Sequence, residues 1–262
     1  MTDRVIILGS GAAPGVPVAA KGWGECNPHN PKNVRRRAGI LVQIGGLNIQ
    51  TDTSQDFRCQ MIDNNIKELD AVLYTHAHAD HVSGVDDLRP FTQLSGRNLN
   101  AYATAEHLAE IKRRFGYVFT DVKLEEITQR PQVAENIIEY YKPFSVKGVE
   151  ICPLLFLGHT VPTCGYVFAG GKLVIIPDYK EIPEPTLEYL QKIDVNVMIM
   201  PLTEIREQAY HAGMEINRKY IDIIKPQRVY FTHMGEHCDY DEVMKISPDK
   251  AVPAYDNMII EL

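Results

Sequence analysis

The sequence has little of what an exported, membrane-bound or disulfide-stabilised protein carries. No run of eighteen apolar residues occurs in its 262 residues, which excludes a membrane-spanning helix. Its five cysteines are an odd number at irregular spacing, so they do not suggest a disulfide framework. No cleavable signal pattern precedes the first apolar segment. We therefore expect a cytoplasmic protein.

A net positive charge is also lacking. The formal net charge is −7, whereas nucleic-acid-binding proteins usually present a basic field to phosphates, so a polymeric nucleic acid is disfavoured as a substrate. The local exception is the segment Lys32–Arg37, which has four cations in six residues. Two interpretations of this segment stay open: a solvated face and an anion-facing loop.

One short segment concentrates metal-ligand chemistry. The apolar run Ala71–Tyr74 is typical of a buried strand, and the next seven residues, Thr75–His81, read THAHADH. Residues two apart in extended backbone point the same way, so His76 and His78 could hold one ion, while the turn directs Asp80 and His81 towards a second. The spacing predicts a two-metal site at the carboxyl end of a strand, where open α/β sheets place their chemistry.

Three further residues of metal-ligand type end apolar segments. They are His159 after Leu154–Gly158, Asp178 after Leu173–Pro177, and His233 after Arg228–Thr232. Random placement would scatter such residues along the chain. We therefore expect the four segments to converge on one metal centre.

In this order, the ligands resemble those of the metallo-β-lactamase superfamily. Gly9–Pro17, Asn30–Asn33 and Thr51–Arg58 are similar to its phosphodiesterase branch, most of all to the enzymes that hydrolyse phosphoribosyl 1,2-cyclic phosphate. The similar motifs run over residues 7–241. The hydrophobic pattern alone indicates an α/β (α+β) protein, and the resemblance implies a four-layer αββα sandwich in a single domain, residues 1–262.

The resemblance also implies the chemistry of the centre. Two divalent ions, zinc, manganese or iron, would share a water and attack a phosphodiester with metal-bound hydroxide. The seven ligands form two sets with one shared member: His76, His78 and His159 for one ion, Asp80, His81 and His233 for the other, and Asp178 between them.

Other residues receive roles around this centre. His211, just before a predicted helix, lies where the family has a non-ligand histidine, and we expect it to be catalytic as a general acid, alongside Asp80. Asp52 is expected to orient ligands, although a simple turn-forming role is equally open. Gly11, with free loop amides, and Arg35, with its cation, are expected to bind the substrate phosphate.

The sequence departs from the family at a structural zinc site, which better-known members build from a cysteine cluster and a histidine. Here Cys26 and His29 occupy the first stretch, and His237 and Cys238 follow the last ligand. These four could hold a zinc ion if the two loops meet. Their spacing instead favours loss of the site or its rebuilding from other residues.

Three functional classes stay open. A phosphodiesterase for a small cyclic phosphate of ribose or a nucleotide is favoured, and a homodimer is compatible with it. An endoribonuclease resembling tRNase Z would want a protruding RNA-gripping arm and a basic surface, and neither is evident. A non-hydrolytic accessory protein would usually show a degraded ligand set, whereas all seven positions are intact. The segment Tyr117–Gln132, of mixed polarity, is predicted to extend over the mouth of the site.

Overall fold

Two β-sheets form the centre of the molecule. A computed structural model describes residues 2–121 and 130–262. The strands within these residues are β1 (Arg4–Gly9), β2 (Gly39–Ile44), β3 (Leu47–Thr51), β4 (Ala71–Leu73), β5 (Leu99–Ala103), β6 (Val133–Ile137), β7 (Phe144–Val146), β8 (Val149–Phe156), β9 (Thr163–Phe168), β10 (Leu173–Ile175), β11 (Val197–Pro201), β12 (Arg228–Thr232), β13 (Ala251–Pro253) and β14 (Met258–Glu261).

Helices connect many of these strands. The α-helices are α1 (Phe57–Asp63), α2 (Ala79–Val82), α3 (Arg89–Ser95), α4 (Ala105–Phe115), α5 (Glu184–Gln191), α6 (Met214–Ile224) and α7 (Tyr240–Ile246). Short 3-10 helices cover Pro31–Asn33, Val85–Leu88, Gly116–Val118 and Ala169–Gly171. Within the described ranges, no helix is long and apolar enough to cross a membrane.

Each sheet has a parallel half whose strands end at the same edge. Within the described residues, the first sheet has seven strands in the order β14-β1-β2-β3-β4-β5-β6 and the second seven in the order β13-β12-β11-β10-β9-β8-β7. Strands β3 to β6 are parallel to one another, and so are β10 to β13. Parallel strands are joined by crossovers, and their carboxyl ends therefore face one side of the molecule.

The alternation of side chains along the strands separates three apolar cores. In β1, Val5 and Ile7 face the core between the two sheets, whereas Ile6 and Leu8 pack with α1 and α4 on the outer face. In β11, Val197 and Ile199 face the central core, and Met198 and Met200 pack with α5, α6 and α7. The predicted four-layer αββα sandwich is therefore confirmed.

The close packing of the first strand end requires glycine. A Cβ atom at Gly9 would overlap the carbonyl oxygen of Arg37 and the amide of Gln60. Gly9 pairs with Gly39 on the neighbouring strand, next to an irregularity in the β1–β2 register. Glycine here thus allows two backbone segments to approach each other.

We therefore expect Gly9→Ala to lower the free energy of unfolding by about 1–3 kcal/mol, the usual cost of forcing a methyl group into a packed site. Gly116→Ala is the matched control, because a Cβ at Gly116 meets nothing within 4 Å. Chemical unfolding of both variants in chelator, compared with the native chain, measures the difference. Equal stabilities for the two variants would contradict the packing argument.

Candidate metal centre

The seven predicted ligands converge at the carboxyl ends of strands from both sheets. His76 and His78 lie in the loop after β4, and Asp80 and His81 lie on α2, which begins one residue after His78. The other three ligands follow β8, β10 and β12. The sequence folds this way because each apolar strand ends where the sheet reaches the open face of the molecule, and the polar residue comes next.

The first ligand set is His76, His78 and His159. One ring nitrogen of each lies within 4.8 Å of the others. Nε2 of His159 is 3.0 Å from Nδ1 of His78. Nε2 of His76 is buried and makes no hydrogen bond with any described residue. Nε2 of His159 and Nδ1 of His78 are thus within hydrogen-bond distance, and Nε2 of His76 faces the same point without a partner among the described residues.

The second set is Asp80, His81, Asp178 and His233, all of them buried. Oδ2 of Asp178 is 3.6 Å from Nε2 of His81 and 3.3 Å from Nε2 of His233. Oδ2 of Asp80 is 3.3 Å from the same two nitrogens. Asp178 also groups with His159 of the first set, so its carboxylate lies between the two sets.

The second nitrogen of each histidine in the two sets is engaged away from the centre. Nδ1 of His81 is 2.7 Å from Oδ2 of Asp52. Nδ1 of His159 is 3.2 Å from the carbonyl oxygen of Tyr210, and Nε2 of His78 is 3.1 Å from Oγ1 of Thr160. A carboxylate or carbonyl oxygen only accepts, so His81 and His159 donate there and keep the lone pair of the inner nitrogen free.

Asp52 organises two of these rings. It accepts hydrogen bonds from the backbone amide and the hydroxyl of Thr75, at 2.8 and 2.9 Å. Because the Thr75 hydroxyl donates to Asp52, its oxygen accepts from Nδ1 of His76, 3.0 Å away. Nε2 of His76 is then the unprotonated nitrogen, as for His81. Asp52 has a φ of 60°, a left-handed conformation that aspartate tolerates better than most residues.

The electrostatics of the centre favour positive charge. Burial alone would raise the pKa of Asp178, but the nearby imidazoles of His233, His211 and His81 hold that pKa well below its usual value. Burial alone would lower the pKa of His81, yet Asp80 and Asp52 raise that pKa well above its usual value. Burial lowers the pKa of His159 to about 4, which keeps this ring neutral and able to act as a ligand.

The donor set fits divalent metal ions. Five imidazoles present an inner nitrogen, two carboxylates lie among them, and two of the nitrogens are buried without a hydrogen bond. Neutral imidazole and carboxylate are the donors that zinc and manganese take in proteins. Divalent ions would compete with protons for the inner nitrogens of His81 and His233, whose pKa values the carboxylates raise.

His211 lies beside the centre on a braced loop. Its Nε2 is 3.8 Å from Oδ2 of Asp178. Glu207 holds the loop by accepting from Lys180 at 2.7 Å, from the Gly213 amide at 3.0 Å and from the Ile216 amide at 3.1 Å. The last two bonds satisfy amides at the start of α6, so the same carboxylate fixes the helix and the histidine.

The structure does not support the expected phosphate-binding roles of Gly11 and Arg35. The Gly11 amide donates to the carbonyl of Arg36 at 2.8 Å and is not free. Arg35 is 2% exposed, and its guanidinium donates to the carbonyls of Gly235 and Cys238 at 3.2 and 2.7 Å. It therefore ties the loop after His233 to the amino-terminal region instead of facing an anion. Arg36 and Arg37 form ion pairs with Asp63 and Asp56, which accounts for the basic run.

The four residues considered for a structural zinc do not come together as a ligand group. The thiols of Cys26 and Cys238 are buried against backbone carbonyls, and His29 is exposed. His237 groups with Glu204 and Glu236 instead, at the surface. The Arg35 guanidinium contacts the Cys26 thiol at 3.7 Å and donates to the carbonyl oxygen of Cys238 at 2.7 Å.

Sequence reasoning missed the outer partners Thr75, Thr160 and Thr203. Oγ1 of Thr203 is 3.2 Å from Nδ1 of His233, which completes the pattern of outward contacts. Each threonine follows a strand and lies next to or near a ligand, but threonine is too common in loops for its type to signal this role. Of the segment predicted to extend over the mouth, residues 122–129 lie outside the described residues.

Comparisons with known proteins agree with the fold and the ligand pattern. A family model described as the beta-lactamase superfamily domain matches residues 47–234. The crystal structure of a diphosphatase from the PhnP family superposes with a TM-score of 0.88 at 25% identity, over 99% of this chain and 98% of that one.

Two curated relatives match in sequence. An octanoyltransferase of Porphyromonas gingivalis is 30% identical over 261 residues, which are 97% of this chain and 51% of that protein. A ribonuclease Z of Clostridium acetobutylicum is 27% identical over 146 residues, 54% of this chain and 46% of that enzyme. The chain thus spans about half the length of these relatives. Since the family model covers most of the chain and its motifs are the ligand strands described above, the protein belongs to the metallo-β-lactamase superfamily.

Proposed function

We propose that the protein is a metal-dependent phosphodiesterase that hydrolyses a small cyclic phosphate of ribose or of a nucleotide. The observation that carries this proposal is the pair of ligand sets, which share the carboxylate of Asp178 and have His211 beside them. Two adjacent cation sites with one non-ligand histidine suit an in-line displacement at phosphorus.

Two similarities support phosphate chemistry. The similar crystal structure is of a diphosphatase, and one curated relative is a ribonuclease. Both names describe hydrolysis at phosphorus. We do not transfer octanoyl transfer to this chain, because it matches only half of the protein that carries that name.

Different residues of the chain orient the ligand rings around the centre. Bound divalent ions would lower the pKa of a water molecule and polarise phosphoryl oxygens. Asp52 holds His76 and His81 in the tautomers that present Nε2 to the centre. Thr203 does the same for His233. The backbone carbonyl of Tyr210 orients His159 and lies next to His211, so the histidine that transfers a proton and a ligand are held by one loop.

His211 supplies the proton that the departing oxygen needs. Its ring is partly exposed at the centre, and Asp178 is the carboxylate that it faces. An alkoxide of ribose is a poor leaving group, and a positioned imidazolium protonates it as the P–O bond breaks. Because bound ions would activate a water molecule, no serine or cysteine nucleophile is needed.

The substrate class rests on the net charge and on the internal contacts of the basic run. The net charge of −7 gives no long-range attraction for a polyanion. The basic run Lys32–Arg37, which could have served RNA, has three of its cations in internal contacts. A small anionic substrate could be bound by the metal centre and His211 alone, without an extended basic surface. A ribonuclease Z-like activity is the second candidate, favoured by the match to that enzyme.

A substrate panel tests the proposal. The metal-loaded protein is assayed with phosphoribosyl 1,2-cyclic phosphate, with 2′,3′- and 3′,5′-cyclic nucleotides, and with a precursor tRNA that has a 3′ trailer. We expect the highest kcat/KM on a cyclic ribose phosphate. Faster trimming of the tRNA than of every cyclic substrate would replace our proposal by the endonuclease. No hydrolysis of any phosphodiester would contradict both.

Substitution of His211 separates proton transfer from metal binding. We expect His211→Ala to lower kcat by roughly 10²–10⁴-fold on the ribose substrate with its metal content unchanged. The loss should shrink with bis(p-nitrophenyl) phosphate, whose leaving group needs no acid. His29→Ala, an exposed histidine away from the ligand sets, is the control. An equal loss on both substrates would indicate phosphate binding, and loss of metal would make His211 a ligand.

Substitution of Asp52 tests the tautomer argument. Asparagine fits the left-handed backbone of residue 52 but cannot accept from both Thr75 and His81 as a carboxylate does. We expect Asp52→Asn to weaken metal binding by about 10–100-fold, as for other partners of ligand histidines. Chelator-competition titrations measure it, with Asp63→Asn as the surface control. Unchanged affinity would show that Asp52 only shapes the turn.

A further inference from the structure

We propose that helix α4 positions the first ion of the centre: its residues His107 and Arg114 hold, from one helix face, the two loops that carry His76, His78 and His159. This inference rests on the proposed metal-dependent function. It assigns these two residues a task at a site that neither of them touches as a ligand.

Arg114 holds the loop between two ligands. Its NH1 group donates to the carbonyl oxygen of Ala77 at 2.8 Å. Ala77 lies between His76 and His78 in the sequence, so this one bond fixes the peptide that joins the two rings. Glu110 orients the guanidinium by accepting from it at 2.7 Å, one turn earlier on the helix.

His107 holds the loop of the third ligand. Its Nε2 is 2.9 Å from the carbonyl oxygen of Pro162, and since a carbonyl only accepts, His107 donates. Pro162 ends the short loop that begins at His159. That loop also carries Thr160, whose hydroxyl contacts the outer nitrogen of His78. Fixing Pro162 therefore steadies His159 directly and His78 through Thr160.

The helix is suited to this task. Residues 107 and 114 are seven apart, two turns, and so lie on the same face. Leu108 and Ile111 of the same helix are buried in the outer core against the first sheet, which anchors α4 as a rigid body. His107 itself is buried, with 3% exposure, although its position in a polar stretch would suggest a surface residue.

Helix α4 contacts loops of the first set only, whereas the second set has supports of its own. The second set depends on Asp52 and Thr203, which lie after β3 and β11. The two loops that carry the first set are held by α4. Within that set, His76 is also contacted by Thr75. Loosening α4 should therefore release one ion before the other.

The experiment compares Arg114→Met and His107→Phe with Arg113→Met in the metal-loaded full chain. Arg113 lies on the same helix and pairs with the same Glu110, but its side chain is 69% exposed and has no bond to either loop. Zinc content is measured after dialysis against graded chelator, and folding is checked by circular dichroism of the metal-free proteins.

We expect the native chain and Arg113→Met to keep two zinc ions, and Arg114→Met and His107→Phe to lose one of them at about tenfold lower chelator concentration. Arg114→Lys and His107→Gln, which restore a donor, should recover the affinity. Because Arg114 lies at the surface, its variant remains informative even if His107→Phe unfolds.

Other outcomes overturn the proposal. Two ions retained as tightly in Arg114→Met as in the native chain would show that α4 is not a positioning element, while the proposed function stands. Loss of zinc in Arg113→Met as well would indicate a general effect of charge. A native chain that binds no zinc or manganese would contradict this inference and the proposed function together.

Discussion

The structure depends on the burial of two carboxylates among imidazoles at the ends of its strands. Asp80 and Asp178 are 8% and 3% exposed, and such groups are costly to bury without a positive partner. His81 and His233 lie beside them, and the carboxylates raise the pKa of both rings. Divalent ions bound here would compete with protons for the same nitrogens, so folding, protonation and metal binding are linked at one place.

The rest of the fold holds this cluster of buried carboxylates and imidazoles in one arrangement. The ligands follow strands from both sheets, and contacts to the outer nitrogen of each histidine ring fix its orientation. His233 and Asp52 both have a positive φ, 54° and 60°, which few non-glycine residues adopt without support. Hydrogen bonds to Thr203 and Thr75 provide that support. The same contacts thus stabilise these backbone conformations and orient the ligand rings.

The sequence predicts the elements of strong pattern and fails where packing decides. The apolar segments Ala71–Tyr74 and Arg228–Thr232 agree with β4 and β12 to within one residue, because their hydrophobic pattern is clear. The edge strands β6, β7 and β13 and the short helix α7 are brief elements and carry little signal in the sequence.

The roles of individual side chains could likewise be predicted from the sequence in some cases and not in others. The ligand strands could be predicted because metal donors after apolar strands are rare by chance. The role of Arg35 could not be predicted, because a charged residue in a basic run usually faces solvent. Only the tertiary contacts show that its guanidinium is buried against Gly235 and Cys238. The amide of Gly11 likewise finds its partner, Arg36, only in the folded chain.

The central claim is that two ions share this centre, with Asp178 between them. Anomalous diffraction at the zinc or manganese edge, from crystals of the metal-loaded protein, tests it most directly. The account predicts two peaks in each molecule. One should lie about 2.0–2.2 Å from nitrogens of His76, His78 and His159, and the other at the same distance from ligands in the set of Asp80, His81 and His233. A single peak, or peaks that leave His159 or His233 more than about 5 Å from any ion, would contradict it.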